Sequence, residues 1–150
     1  VNTPAFEAWV KGAHQTITDN FEATVEFNYE KFDTDGCYDN TTYTFTPTTA
    51  GKYFCYAVAD VAQDSDSNLD RARIYFIFNG SGIENSTFSF HSNPIREFSA
   101  TVNCVVEFNG TSDNLLVKAL GQTSNGSDPY LRHDNDYGVT HFGAFKLIGA

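Results

Sequence analysis

The sequence predicts an all-β domain, a two-sheet antiparallel jelly-roll sandwich of about ten strands. Short segments rich in Phe, Tyr, Val, Ile and Thr alternate with clusters of Gly, Asn, Asp and Ser, a pattern typical of strands joined by turns. No stretch shows convincing helical periodicity. No repeat of fixed period and no low-complexity linker divides the chain. We therefore expect a single jelly-roll domain over residues 1–150.

Each strand is predicted from an apolar, mostly alternating segment that ends at turn-forming residues. The first strand carries Phe6 and the only tryptophan, Trp9, and both are expected in the core. The later segments follow the same pattern and are separated by polar clusters. In chain order the predicted strands are 5–10, 23–29, 42–46, 52–61, 71–78, 86–90, 95–108, 114–121 and 138–148.

Strand 52–61 differs from the others because it is apolar on both faces. Successive side chains of a strand point to opposite faces, so Phe54, Tyr56 and Val58 share one face. An antiparallel strand with one wet face should alternate apolar and polar residues. This strand therefore lies either in a sheet that is covered on both sides or at a contact between subunits. The other face carries Tyr53, Cys55, Ala57 and Ala59.

Segment 27–53 contains a set of residues at characteristic spacing, and in this it resembles the complement C1q globular head. That family is a branch of the tumour-necrosis-factor-like jelly rolls. Just after this segment the chain departs from the family pattern at Cys55 and Ala57, where the family has Phe and an aromatic residue. Weaker similarity extends to the first and last strands. The matching residues are Phe27, Asp33, Tyr38, Phe45, Gly51 and Tyr53.

The resemblance implies a homotrimer, because the strand that matches 52–61 lies in the sheet facing the threefold axis in that family. The apolar residues of the last strand, Phe142, Phe145 and Leu147, are expected to be divided between core and contact. The subunit contacts predicted in this way are Phe54, Tyr56, Val58, Phe142 and Phe145.

Two long polar loops, 63–70 and 122–137, are predicted as recognition loops. Aromatic and Arg side chains are frequent anchors of binding surfaces, although ordinary surface loops have the same composition. The candidate recognition residues are Asp64, Asp66, Asp70, Tyr130, Arg132, His133 and Tyr137.

Composition argues against several function classes. A net charge of −10 disfavours nucleic-acid binding, which depends on Lys and Arg. The chain has no membrane-length apolar run, and it lacks the common hydrolase and metalloprotease motifs. We therefore predict a protein that is not an enzyme and needs no cofactor.

Calcium could bind the acidic loops 64–70 or 134–136, but solvated acidic loops are more frequent.

The cysteines and the glycosylation sequons leave alternatives open. In the resembled fold the strands of Cys55 and Cys104 are neighbours, so these residues form a disulfide or remain as buried thiols. Cys37 lies in a turn. Sequons would carry glycans if the producer is a secreting eukaryote. They begin at Asn40, Asn79, Asn85, Asn109 and Asn125.

Three settings fit such a module. The first and preferred one is a phage particle, where the chain would serve as a capsid decoration, head fibre or fibre tip. The acidic, Asn- and Thr-rich surface, the lack of a collagen-like stalk and a start at Val1 without a visible leader favour it. The expected partners are then a capsid or fibre protein and a cell-surface glycan or protein. The others are a secreted complement-like or cytokine-like head and a carbohydrate-binding or hydrolytic jelly roll.

Overall fold

The computed structural model describes residues 2–64 and 66–149, and that part of the chain contains thirteen strands and no helix. None of its described segments forms a helix long and apolar enough to cross a membrane. The strands are β1 Ala5–Trp9, β2 Gln15–Thr16, β3 Ala23–Thr24, β4 Tyr29–Asp33, β5 Tyr38–Asp39, β6 Thr44–Phe45, β7 Gly51–Ala62, β8 Leu69–Phe78, β9 Ser81–Ser89, β10 Glu97–Phe108, β11 Leu115–Thr123, β12 Tyr130–Leu131 and β13 His141–Lys146.

The strands form two antiparallel sheets. The seven-stranded sheet has the order β2-β12-β7-β13-β1-β4, and β10 pairs with β7 along its whole length. The six-stranded sheet has the order β5-β6-β11-β8-β9, and β3 pairs with β11. This architecture confirms the predicted two-sheet jelly roll.

The core fills the space between the sheets with aromatic side chains. Phe6 of β1 is fully buried and stacks on Phe45 with ring centroids 4.5 Å apart and on Tyr38 at 4.8 Å. The Tyr38 hydroxyl donates a 2.9 Å hydrogen bond to the Phe27 carbonyl. Burial raises the pKa of Tyr38, so this hydroxyl keeps its proton and the bond persists at neutral pH. These contacts hold the two sheets together.

Phe142 was predicted as a subunit contact, and the structure corrects that prediction. Its side chain is fully buried and packs edge-on against Phe6, with ring centroids 4.8 Å apart. Residues 142 and 145 are an odd number of positions apart in β13, so they point to opposite faces of the sheet. Phe142 therefore belongs to the core, whereas Phe145 lies on the other face.

Most predicted strands are present, but segment 23–29 divides in two. Ala23–Thr24 pairs with β11 in the six-stranded sheet, whereas Tyr29–Asp33 pairs with β1 in the seven-stranded sheet. Val25 and Phe27, which lie between them, are fully buried. The chain thus crosses from one sheet to the other through the core. The sequence shows only an apolar run here, and such a run looks the same for a crossing as for one continuous strand.

The cysteines occur as free thiols in the described part of the chain. Cys55 and Cys104 are direct partners in the β7–β10 pair, as the resemblance implied. Burial raises the pKa of the Cys55 thiol, with a further contribution from Cys104. Cys55 is therefore protonated and unreactive at neutral pH.

Candidate functional site

The outward side of the seven-stranded sheet, here called the outer face, carries an apolar strip. Phe54 and Phe145 are register partners on β7 and β13, and their ring centroids are 5.6 Å apart. On the other side of β7, Val105 of β10 is the register partner of Phe54 and is 54% exposed. The strip thus runs across three neighbouring strands.

The strip continues along β7 through Tyr56 and Val58. The rings of Phe54 and Tyr56 stack 6.2 Å apart, and Tyr56 lies 5.9 Å from His141. Phe54, Tyr56 and Val58 are each half-buried in the single chain, whereas the alternate residues of β7 are buried in the core. The structure therefore places these three predicted contact residues on one exposed face.

Gly143 lets the Tyr56 ring lie flat across the sheet. It is the register partner of Tyr56, and a Cβ at this position would meet the Tyr56 ring at 2.4 Å and the Phe6 carbonyl at 2.9 Å. With no side chain in the way, the Tyr56 hydroxyl reaches across β13 to β1. There it donates a 2.8 Å hydrogen bond to Glu7 Oε2.

Glu7 is the polar centre of the outer face. Its Oε1 accepts hydrogen bonds from Trp9 Nε1 at 2.8 Å and from Lys31 Nζ at 3.2 Å. Partial burial by itself raises the pKa of Glu7, but the hydrogen bonds from Trp9, Tyr56 and Lys31 outweigh that effect and hold the pKa below its usual value. Glu7 is thus a fully hydrogen-bonded carboxylate at neutral pH.

Aromatic and cationic side chains extend the outer face to its β4 edge. Lys31 Nζ lies 5.1 Å from the Trp9 ring and Lys11 Nζ lies 4.0 Å from the Tyr29 ring. Trp9 also packs against Gly138, where a Cβ would come within 2.5 Å of the indole. Both lysines keep their charged ends at the rim while aromatic carbon fills the space below.

The opposite end of the outer face carries an ion cluster. Arg132 Nε lies 3.2 Å from Asp60 Oδ2, and Arg132 Nη1 lies 3.0 Å from Glu97 Oε1. Asp60 is 3% exposed, and its Oδ1 is buried without a hydrogen-bond partner. Burial, reinforced by Glu97 and opposed by Arg132, raises the pKa of Asp60 to about 6. Two carboxylates of the same chain thus engage the guanidinium that the sequence predicted as a recognition anchor.

The two predicted recognition loops meet at this end of the sandwich. Ser124 N donates a 2.8 Å hydrogen bond to the Asn68 carbonyl, and Gln63 Nε2 donates one of 3.2 Å to the Ser127 carbonyl. Asp64 and Asp66 are exposed on the first loop, and Tyr137, the last residue of the second loop, is 72% exposed. These loops form one polar surface.

Asp70 and His133 occupy different surroundings from the other predicted loop residues. Asp70 lies within β8 and its Oδ2 is 3.9 Å from His91 Nδ1. The His133 backbone N–H donates a 3.1 Å hydrogen bond to His14 Nδ1, and the His14 ring stacks on Tyr130 at 4.5 Å. Sequence reasoning missed His14 because it is 119 residues away from His133 along the chain.

The described residues contain no group of three or more His, Cys, Asp or Glu side chains arranged to hold a metal ion. Two open depressions occur elsewhere on the surface. One of about 470 Å³ lies beside Cys37, Tyr38 and Asp39, and one of about 540 Å³ lies beside Phe90 and His91. The first is lined by one carboxylate, Asp39, together with the Cys37 thiol and the Tyr38 phenol, and the second by one imidazole, His91.

Solved structures that share this architecture include the following three. The globular domain of zebrafish complement 1qA protein matches 97% of this chain and 98% of its own, with a TM-score of 0.64 and 14% identity. The Eiger tumour necrosis factor of S. frugiperda matches 100% and 96%, with a TM-score of 0.70 and 14% identity. Murine APRIL matches 95% and 98%, with a TM-score of 0.65 and 11% identity. The fold is therefore a C1q- and tumour-necrosis-factor-like jelly roll.

Comparison of the sequence with known protein families and with curated proteins finds no match.

Proposed function

We propose that this chain is a non-enzymatic homotrimeric binding module, carried on the surface of a phage particle, where it displays recognition loops. The observation that supports assembly is the apolar strip on the outer face. Phe54, Tyr56 and Phe145 are only half-buried in the single chain, and Val105 beside them is 54% exposed. Contiguous apolar patches of this kind mark association surfaces on soluble proteins.

The polar centre of the outer face is compatible with burial. Removing a charge from water is costly unless it stays paired and hydrogen-bonded. Glu7 already accepts hydrogen bonds from Tyr56, Trp9 and Lys31 within its own chain. A second copy can therefore cover this region without leaving an unpaired carboxylate.

Three copies would present three sets of recognition loops on one particle. Linked copies raise the effective concentration of each further contact, so modest binding by one loop surface becomes strong binding by the trimer. Asp64, Asp66 and Tyr137 offer exposed polar and aromatic groups for that purpose. The target in this proposal is a cell-surface glycan or protein, and the attachment partner is a capsid or fibre protein.

The assembly is tested first by light scattering on untagged protein over a range of low concentrations, with and without a chelator. A mass of three chains that does not depend on the chelator supports the proposal. A stable monomer at all concentrations contradicts it. The particle setting is tested separately, by asking whether antibodies against the chain label purified virus particles from the producing culture.

A secreted recognition head is the second candidate, and the sequons favour it. Each of the five sequon asparagines is exposed, and they lie in loops or on β9 rather than on the outer face. Glycans at these positions would leave the proposed assembly surface free. Mass analysis of the protein secreted from its native source would show glycan at several of these sites if this second candidate is correct.

A further inference from the structure

The outward side of the six-stranded sheet carries two arginines on β8. Arg71 and Arg73 are partly exposed, whereas Ala72 and Ile74 next to them are fully buried in the core. Residues two positions apart on a strand share a face and lie about 7 Å apart. The two guanidinium groups therefore point to the same side of the molecule.

Neither arginine is neutralised by a carboxylate. Across residues 2–64 and 66–149, the ion pairs with N···O distances up to 4.0 Å include neither Arg71 nor Arg73. Their side-chain contacts are with an imidazole and a phenol: Arg71 Nη2 lies 3.2 Å from His91 Nε2, and Arg73 Nη1 donates a 3.0 Å hydrogen bond to the Tyr75 hydroxyl. Two arginines without a carboxylate partner are unexpected in a chain with 19 acidic and 9 basic residues.

Unsatisfied polar atoms surround this pair. Nε of Arg71 and Nε of Arg73 are both buried without a hydrogen-bond partner, and so is Oε1 of Gln122. Gln122 is the register partner of Arg71 on β11. On the other side, Ser89 and Thr87 of β9 are the register partners of Arg71 and Arg73. Buried polar atoms are nearly always paired, so these three call for an explanation.

We propose that this arginine patch, formed by Arg71, Arg73, Gln122, Thr87 and Ser89, binds a sugar that carries a carboxylate, such as a uronic acid. The planar guanidinium groups match a carboxylate in geometry and charge. Rotation of the Gln122 side chain brings its buried Oε1 to the surface, where it accepts a hydrogen bond from a sugar hydroxyl, and the exposed hydroxyls of Thr87 and Ser89 provide further contacts. Rotation of the two partly exposed arginine side chains likewise frees their Nε atoms, so that a single group with both an oxyanion and hydroxyls satisfies the unpaired donors and the unpaired acceptor together.

Two pairs of ionisable side chains lie beside the arginine patch and mark its limits. Lys118 and Glu22 lie beside it as a pair 3.9 Å apart, and Asp70 faces His91 at 3.9 Å on the far side of Arg71. The patch is on the sheet opposite the outer face. It stays accessible whether or not the chain forms a trimer, so it does not depend on the proposed function.

The test is a calorimetric titration with a galacturonic acid trisaccharide and with its methyl ester, at about 50 mM salt. We expect the acid to bind at least tenfold more tightly than the ester, because only the acid offers a charged acceptor. Arg73→Gln should weaken binding of the acid by about tenfold, the usual effect of losing one charged hydrogen bond. Lys52→Gln makes the same change in charge on the other sheet and should leave the affinity unchanged.

A second variant separates sugar recognition from simple attraction of anions. Gln122→Leu removes the hydroxyl acceptor but keeps both arginines, so it should weaken trisaccharide binding without changing the affinity for inorganic sulfate. Equal binding of acid and ester, or an unchanged affinity in a folded Arg73→Gln protein, would overturn the proposal. Sulfate that binds as tightly as the trisaccharide would overturn the assignment to a sugar.

Discussion

Individual residues on β7 and β13 divide cleanly between the core and the outer face. The period of two in the sequence predicted that Phe54, Tyr56 and Val58 share a face, and the structure confirms that arrangement. The same period applied to β13 separates Phe142 from Phe145. The error over Phe142 arose because the resemblance identified the strand but not the direction of each side chain.

Substitution of Phe142 and Phe145 should distinguish the two roles. Phe142→Ala removes a fully buried ring from the core and should lower the free energy of unfolding by about 3–5 kcal/mol. Phe145→Ala should cost less than half as much, because its ring is partly exposed, but should reduce the fraction of trimer. Urea unfolding at fixed protein concentration and light scattering measure the two effects. Equal losses of stability would contradict the assignment of Phe142 to the core.

Asp60 should make the free energy of unfolding depend on pH, and the direction of that dependence follows from its raised pKa. Its pKa is about 6 in the folded chain against 3.8 for an ordinary Asp. Between those values the unfolded chain releases the proton and the folded chain retains it, so raising the pH lowers the stability of the wild type. Relative to Asp60→Asn, the wild type should lose about 1–2 kcal/mol between pH 4 and pH 7. Urea unfolding across this range measures the difference.

The control for Asp60 is Asp66→Asn, which removes the same charge from an exposed loop position. A wild type that gains stability over Asp60→Asn as the pH rises would show that Arg132 dominates the environment of Asp60. That outcome would reverse the sign derived above.

At the scale of strands, the sequence predicted four of the long elements well, but it found only the second half of β9 and missed several short strands. The alternating pattern located β7, β8, β10 and β11 to within a few residues. It missed the two-residue strands Gln15–Thr16, Tyr38–Asp39 and Tyr130–Leu131, because segments this short carry no measurable period. The ion pair between Arg132 and Asp60 was also out of reach, since it depends on β12 lying beside β7.

Gly143 tests the packing of β7 against β13. Gly143→Ala would place a Cβ 2.4 Å from the Tyr56 ring, so either the ring or the strand must move. We expect a loss of about 1–3 kcal/mol in the free energy of unfolding and a weaker contact between Tyr56 and Glu7. Gly82→Ala is the matched control, because its Cβ would have its nearest neighbour at 4.0 Å. Equal stabilities of the two variants would show that Tyr56 repacks without cost.

At the scale of the whole molecule, the fold and the proposed association surface are read from different features of the sequence. The spacing of six residues in segment 27–53 indicated the jelly roll, and structures with 11% to 14% identity share this fold. The arginine patch was invisible in the sequence, since it is created by β8, β9 and β11 lying side by side. Partners and setting follow from exposed side chains, and these vary while a core is maintained.

Assembly is the property of the whole molecule that a single substitution tests most directly. Tyr56→Glu places a carboxylate on the apolar strip next to Glu7, and the proposed contact would bury both charges. We expect the trimer to dissociate to monomers while the fold is kept, since Tyr56 lies outside the core. Phe21→Glu is the control, because Phe21 is 67% exposed and lies outside the seven-stranded sheet. Light scattering measures the mass in solution, and circular dichroism shows whether the fold is kept. A Tyr56→Glu protein that still ran as a trimer would place the subunit contact elsewhere.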